Sequence, residues 1–144
     1  MKFNSLMPEL YVLDFQKSLH FYTQILGFKL EYQRFQLNKN NHFAFMSYYD
    51  AQLMIEELVP GEKEEMKLEY PFGRGLNFEI RTPDLIGLLD TLKKNNYPLQ
   101  REMTESWRDI GINGKEFGSR EFRVLDPDGF ELRFAQDLGG RDIK

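Results

Sequence analysis

One order of secondary-structure signals runs through this chain twice, and a duplicated β-α-β-β-β plan leaves few folds open. Leu6 to Leu13 alternates as a strand, with Leu6, Pro8, Leu10 and Val12 on one parity and Met7, Glu9 and Tyr11 on the other. Pro8 has no N–H for a ladder, so this strand belongs at an edge or begins near Pro8. Asp14 then caps a helix to about Leu26 whose apolar face is Phe15, Leu19, Tyr22, Ile25 and Leu26, and Gly27 stops it. Strands follow at Phe28 to Phe35, His42 to Tyr49 and Gln52 to Leu58, with turns at Asn38-Lys39-Asn40-Asn41 and Tyr49-Asp50-Ala51. Val59 to Gly73 interrupts as a linker or surface excursion, with Pro60-Gly61, the charge run Glu62-Lys63-Glu64-Glu65 and Pro71-Phe72-Gly73.

The order then restarts. Gly75 to Arg81 predicts a strand, Thr82 an N-cap with Pro83 in the first turn, and Leu85, Leu88, Leu89 and Leu92 a helix to about Asn95. Tyr97 to Glu105 predicts a strand, and Ser106 to Ser119, with three glycines and the only tryptophan, an irregular segment. Arg120 to Phe134 closes the plan as a hairpin. Its turn is Asp126-Pro127-Asp128-Gly129, in which proline presets φ, aspartates bond nearby backbone and glycine accepts positive φ. The repeat period is roughly 70 residues.

At 144 residues the chain is one domain's worth. A net charge of −4 argues against nucleic acid, whose binders carry a basic footprint. The absence of cysteine excludes disulfides and thiol chemistry and fits a reducing cytoplasm. With no apolar run long enough for a signal peptide or a membrane span, the expectation is a cytoplasmic protein with no membrane partner. The 13 Phe, 7 Tyr and 1 Trp predict an aromatic core or cleft.

Parity assigns faces. If Leu10, Val12, Phe78, Ile80, Leu132 and Phe134 pack on the helices, the opposite side receives Met7, Glu9, Tyr11, Met54, Glu56, Asn77, Glu79, Glu131 and Arg133, a mixed and net acidic surface. His20 reads as a surface residue of the first helix and His42 as the start of a strand, neither at a site.

Val12-Leu13-Asp14-Phe15-Gln16-Lys17-Ser18 through Phe21-Tyr22 to Leu26-Gly27-Phe28, then Leu53-Met54-Ile55-Glu56, and Arg120-Glu121-Phe122 with Asp126-Pro127-Asp128-Gly129-Phe130 resemble the vicinal oxygen chelate superfamily, the glyoxalase, bleomycin-resistance and extradiol-dioxygenase group. The resemblance implies an α+β domain over residues 1–144. Its two βαβββ modules, about 6–58 and 75–136 with a linker at about 59–73, would form a half-open mixed β-barrel around a cleft, helices outside. Catalytic members hold a divalent metal with four side chains; carried across, those positions are Met7, Glu56, Asn77 and Arg133, of which only Glu56 matches. A shifted all-oxygen site would use Glu9, Glu56, Glu79 and Glu131.

Loss of ligands with retention of the fold resembles the metal-free bleomycin-resistance proteins, which sequester a cationic, aromatic drug without chemistry. The expectation is therefore no cofactor and a bleomycin-like small-molecule ligand, bound by Tyr11, Glu56, Asn77, Trp107, Phe117, Glu131 and Arg133, in a homodimer. The alternatives are a divalent-metal lyase or dioxygenase and a non-catalytic ligand sensor.

Overall fold

A computed structural model describes residues 1–36 and 41–144. The expected turn at residues 38–41 lies outside the described residues but for the backbone of Asn41. The chain is α+β, with strands β1 (Glu9–Val12), β2 (Lys29–Gln36), β3 (Asn41–Tyr48), β4 (Ala51–Glu57), β5 (Asn77–Arg81), β6 (Arg101–Ile112), β7 (Lys115–Leu125) and β8 (Glu131–Asp142). Its helices are α1 (Phe15–His20), α2 (Glu62–Glu65) and α3 (Leu85–Lys94). Two compact units form, residues 1–75 with 126–130, and residues 76–125 with 131–144. No helix among the described residues is long and apolar enough to cross a membrane.

The first unit holds a mixed sheet in the order β1-β4-β3-β2, with β1 parallel to β4 and the other pairs antiparallel. The second repeats it as β5-β8-β7-β6, with β5 parallel to β8. In the first unit α1 buries Phe15 and its continuation buries Phe21 and Tyr22, while the sheet buries Leu10, Val12, Ala44, Met46, Leu53 and Ile55. Asp14 caps α1 by accepting from the Lys17 N–H, and Glu57 accepts from the Phe15 N–H. Glu57 also pairs with His42, whose ring packs at 5.2 Å from Phe15. His20 is exposed.

The turn 126–130 belongs to the first unit, and there its aspartates are buried. Asp126 Oδ1 accepts from the Asp128 and Phe130 N–H groups, and the Asp128 carboxylate accepts from the Leu13 N–H and the Ser18 hydroxyl. Gly129 takes φ +86°, and a Cβ there would meet Pro71 at 2.5 Å, so both conformation and space require glycine.

The structure differs from the sequence expectations at several places. β1 is an edge strand and begins at Glu9, directly after Pro8, rather than at Leu6: Pro8 donates nothing, although its carbonyl accepts from Met54. The first helix widens after His20 into a π-type turn, Phe21–Ile25, before Gly27. The presumed linker contains α2, and its end pairs with the turn through Phe72 N–H to Asp128 O and Gly73 N–H to Gly129 O. Asp84, not Thr82, caps α3, accepting from the Gly87 N–H at 2.9 Å. Phe78 is half-buried, whereas Ile80, Leu132 and Phe134 are buried as parity requires.

The largest difference is Ser106 to Ser119. It is no irregular segment but the distal part of the β6–β7 hairpin, closed by Asn113-Gly114 with both residues at positive φ, the two-residue turn whose twist matches antiparallel strands. β8 likewise runs on to Asp142 beside β7.

Candidate functional site

Strand register arranges the face of the first sheet opposite α1 into two rows. One runs Tyr32–Phe45–Met54–Glu9 and the next Arg34–Phe43–Glu56–Tyr11, each from β2 across β3 and β4 to β1. Phe43 and Phe45 are buried on this face because other side chains lie over them. The Tyr32 ring packs at 5.9 Å from Phe43 and 5.5 Å from Phe45, the Arg34 guanidinium sits 4.2 Å from the Phe43 ring centre, and the Phe3 ring is 5.4 Å from Phe45. The result is an aromatic floor at one end and two carboxyl groups at the other.

Glu9 and Glu56 are diagonal neighbours on parallel strands and hydrogen-bond to each other. Desolvation, then that bond and the charge of Glu56, push the Glu9 carboxyl up to about 6. Desolvation also raises the Tyr11 phenol, helped by the negative charges of Glu56 and Glu9. A cation placed at this pair relieves the carboxylate repulsion, and a planar apolar group has the floor beside it.

The corresponding face of the second sheet is of another kind. Glu79, Arg133, Arg123 and Arg101 form one row, so three arginines stand side by side, a destabilising arrangement unless countered. The carboxylates counter it: Arg133 bonds Glu79 and lies 3.6 Å from Glu121, Arg123 bonds Glu131 at 2.6 Å and lies 3.9 Å from Glu121, and Arg81 pairs with Glu79 at 2.9 Å. Asn77 stands beside Glu131 in the adjacent row. By register Asn77 takes the place in this sheet that Glu9, not Met7, takes in the first, and Arg133 takes that of Glu56.

Trp107 and Phe117 lie on the distal hairpin, and each covers a glycine. A Cβ on Gly118 would come within 2.7 Å of the Trp107 ring, and one on Gly140 within 3.1 Å of Phe117. The Arg141 guanidinium stacks 3.8 Å from the Trp107 ring centre and is held by Glu116, while the indole N–H donates to Glu105. Aromatics laid across cross-strand glycines stiffen a ribbon that has little else to pack on.

The seven expected ligand residues thus fall into three settings: Tyr11 and Glu56 on the first sheet face, Asn77, Glu131 and Arg133 in or beside the ionic lattice of the second, and Trp107 and Phe117 on the hairpin. The aromatic floor itself, Phe3, Tyr32, Phe43 and Phe45, escaped the sequence reading. In β3 both parities are apolar, Phe43 and Phe45 against Ala44 and Met46, so no polar alternation distinguishes the two faces.

The second-sheet residues do not fit a divalent metal. Arg133 brings a positive charge to a carried-over ligand position, and Glu79 and Glu131 already have guanidinium partners. Among the described residues no group of three or more His, Cys, Asp or Glu is placed to hold a metal ion.

Each unit thus repeats one β-α-β-β-β order, with a mixed four-stranded sheet and one sheet face turned away from the core. The chain belongs to the Glyoxalase/Bleomycin resistance protein/Dioxygenase superfamily, whose family model matches residues 2–134. Among solved structures it is similar to the trypanothione-dependent glyoxalase I of Leishmania major, at 18% identity and TM-score 0.65 over 94% of this chain and 87% of that one. It is similar also to a virulence protein of Salmonella typhimurium, at 17% identity and TM-score 0.60 over 94% and 98%, and to an integron cassette protein of Vibrio cholerae, at 15% and 0.61 over 94% and 97%. At these identities the likeness is one of fold. No curated protein matches the chain.

Proposed function

We propose that this protein is a non-catalytic small-molecule binder of the superfamily, which sequesters a ligand carrying a flat aromatic group and a positive charge. The observation that carries the reading is the pair of rows on the first sheet: Phe43 and Phe45, overlain by Tyr32 and Phe3, stand beside Glu9 and Glu56. The rings laid over the floor, the exposed Phe3 and the half-buried Tyr32, favour a planar apolar group, worth about 1 kcal/mol beyond buried area, and the carboxyl pair favours a cation. The ionic lattice of the second sheet also supports the reading, because Glu131 and Glu79 are paired with Arg123 and Arg133, whose positive charges disfavour a metal.

Calorimetric titration with bleomycin, which has both chemical parts, tests it. The expected result is a dissociation constant below about 100 μM, or roughly 5.5 kcal/mol, that weakens with salt and in Glu56→Gln. Absence of binding at that level rejects bleomycin-like ligands. A stoichiometric divalent metal lost in Glu56→Gln moves the reading to a metal-dependent lyase or dioxygenase.

A further inference from the structure

The chain before β1 runs over the aromatic end of the first sheet face, and one side chain holds it there. Gln52 lies on that face, in register with Ser47 and two residues before Met54 on β4. Its Oε1 accepts from the Asn4 N–H at 2.6 Å and its Nε2 donates to the Lys2 carbonyl at 2.7 Å. A side-chain amide that accepts from one residue and donates to the residue two earlier reproduces the bonding of a neighbouring strand. Asn4 adds a bond from Nδ2 to the Asp50 carbonyl at 2.6 Å. Between the two bracketed residues stands Phe3, its ring tilted 45° against Phe45 and 52% exposed.

A large apolar side chain pinned in place on both sides, yet half open to water, is set apart from Phe43 and Phe45, which are buried. Pinning removes much of the ordering cost that a free aromatic would incur on contact with a ligand. We infer that Phe3 is a ligand-contacting, specificity-determining residue of the first-sheet site, selecting for planar rings, and that Gln52 is the positioning residue that presents it. The inference rests on the binding reading above. It assigns discrimination by ring shape to Phe3 and attraction of charge to Glu9 and Glu56, so the two contributions separate on substitution.

Proflavine, a planar cation with its own fluorescence, is the probe, titrated into the full chain by anisotropy. Wild type binds; Phe3→Ala and Phe3→Leu weaken binding about fivefold or more, and Phe3→Trp stays within about twofold. Gln52→Ala weakens binding in the wild-type background and adds nothing in the Phe3→Ala background, the non-additivity expected of a residue acting through another. Denaturant midpoints establish that each variant is folded. If Glu56→Gln weakens proflavine while Phe3→Leu leaves it unchanged, the role of Phe3 is overturned and the binding reading stands. If Gln52→Ala costs the same with and without Phe3, its positioning role is overturned. If wild type binds no proflavine, the binding reading fails and the inference with it.

Discussion

The Tyr22 hydroxyl donates to Asp126 Oδ2 at 2.7 Å, joining residues 104 positions apart in a buried site of the first unit. The other oxygen of Asp126 takes two backbone N–H groups of its own turn. Tyr22→Phe removes the buried donor and leaves the ring contacts with Phe21 and Phe28. The expected loss of stability is about 1–3 kcal/mol, read from the denaturant midpoint.

The same carboxyl makes stability depend on pH. Desolvation outweighs the bonds donated by Tyr22, Phe130 and Asp128 and pushes Asp126 up to about 6 from 3.8. With the folded value above the unfolded one, the contribution is full below about pH 4 and is lost as pH rises through about 6. About two pH units at about 1.4 kcal/mol each give a decline on the order of 3 kcal/mol. Asp126→Asn, measured by urea unfolding from pH 4 to 7, should flatten that slope; an unchanged slope refutes the assignment.

Leu132 sits at the centre of the second sheet's core face, between Phe78 on β5 and Val124 on β7, and is fully buried. Leu132→Ala should cost about 2–5 kcal/mol. A change under about 0.5 kcal/mol would place Leu132 on the wrong face.

Gly118→Ala tests the covering role of Trp107. The added Cβ meets the ring at 2.7 Å, so the indole must leave its seat between Gly118 and Arg141. Because the chain has a single tryptophan, a red-shifted emission reports the displacement directly. Unchanged emission would mean that the hairpin bends instead.

A homodimer is the expected assembly. β6 is a twelve-residue edge strand of its sheet with most side chains exposed, among them Met103, Ile110 and Ile112, a surface a second copy can cover. Sedimentation at tens of micromolar should give twice the 17.2 kDa chain mass, and a purely monomeric boundary contradicts the expectation.

Local chemistry determined much of this protein. Period-two alternation placed Leu10, Val12, Ile80, Leu132 and Phe134 in the core, Asp14 began a helix and Gly27 ended it, and the Asp126-Pro127-Asp128-Gly129 turn was legible because its conformation is a property of four adjacent residues. The signal of the distal hairpin was present too, in Asn113-Gly114, but the surrounding glycines masked it; one of them, Gly118, is where Trp107 lies down. Only the tertiary structure decided which face each aromatic of β3 occupies, that Glu9 meets Glu56, that Arg123 and Arg133 pair with Glu79, Glu121 and Glu131, and that Gln52 bonds the backbone on both sides of Phe3. Each of these depends on which residue stands opposite which across strands distant in sequence. Strand pairing is fixed by burial summed over a whole sheet, and no local window of the chain contains that sum.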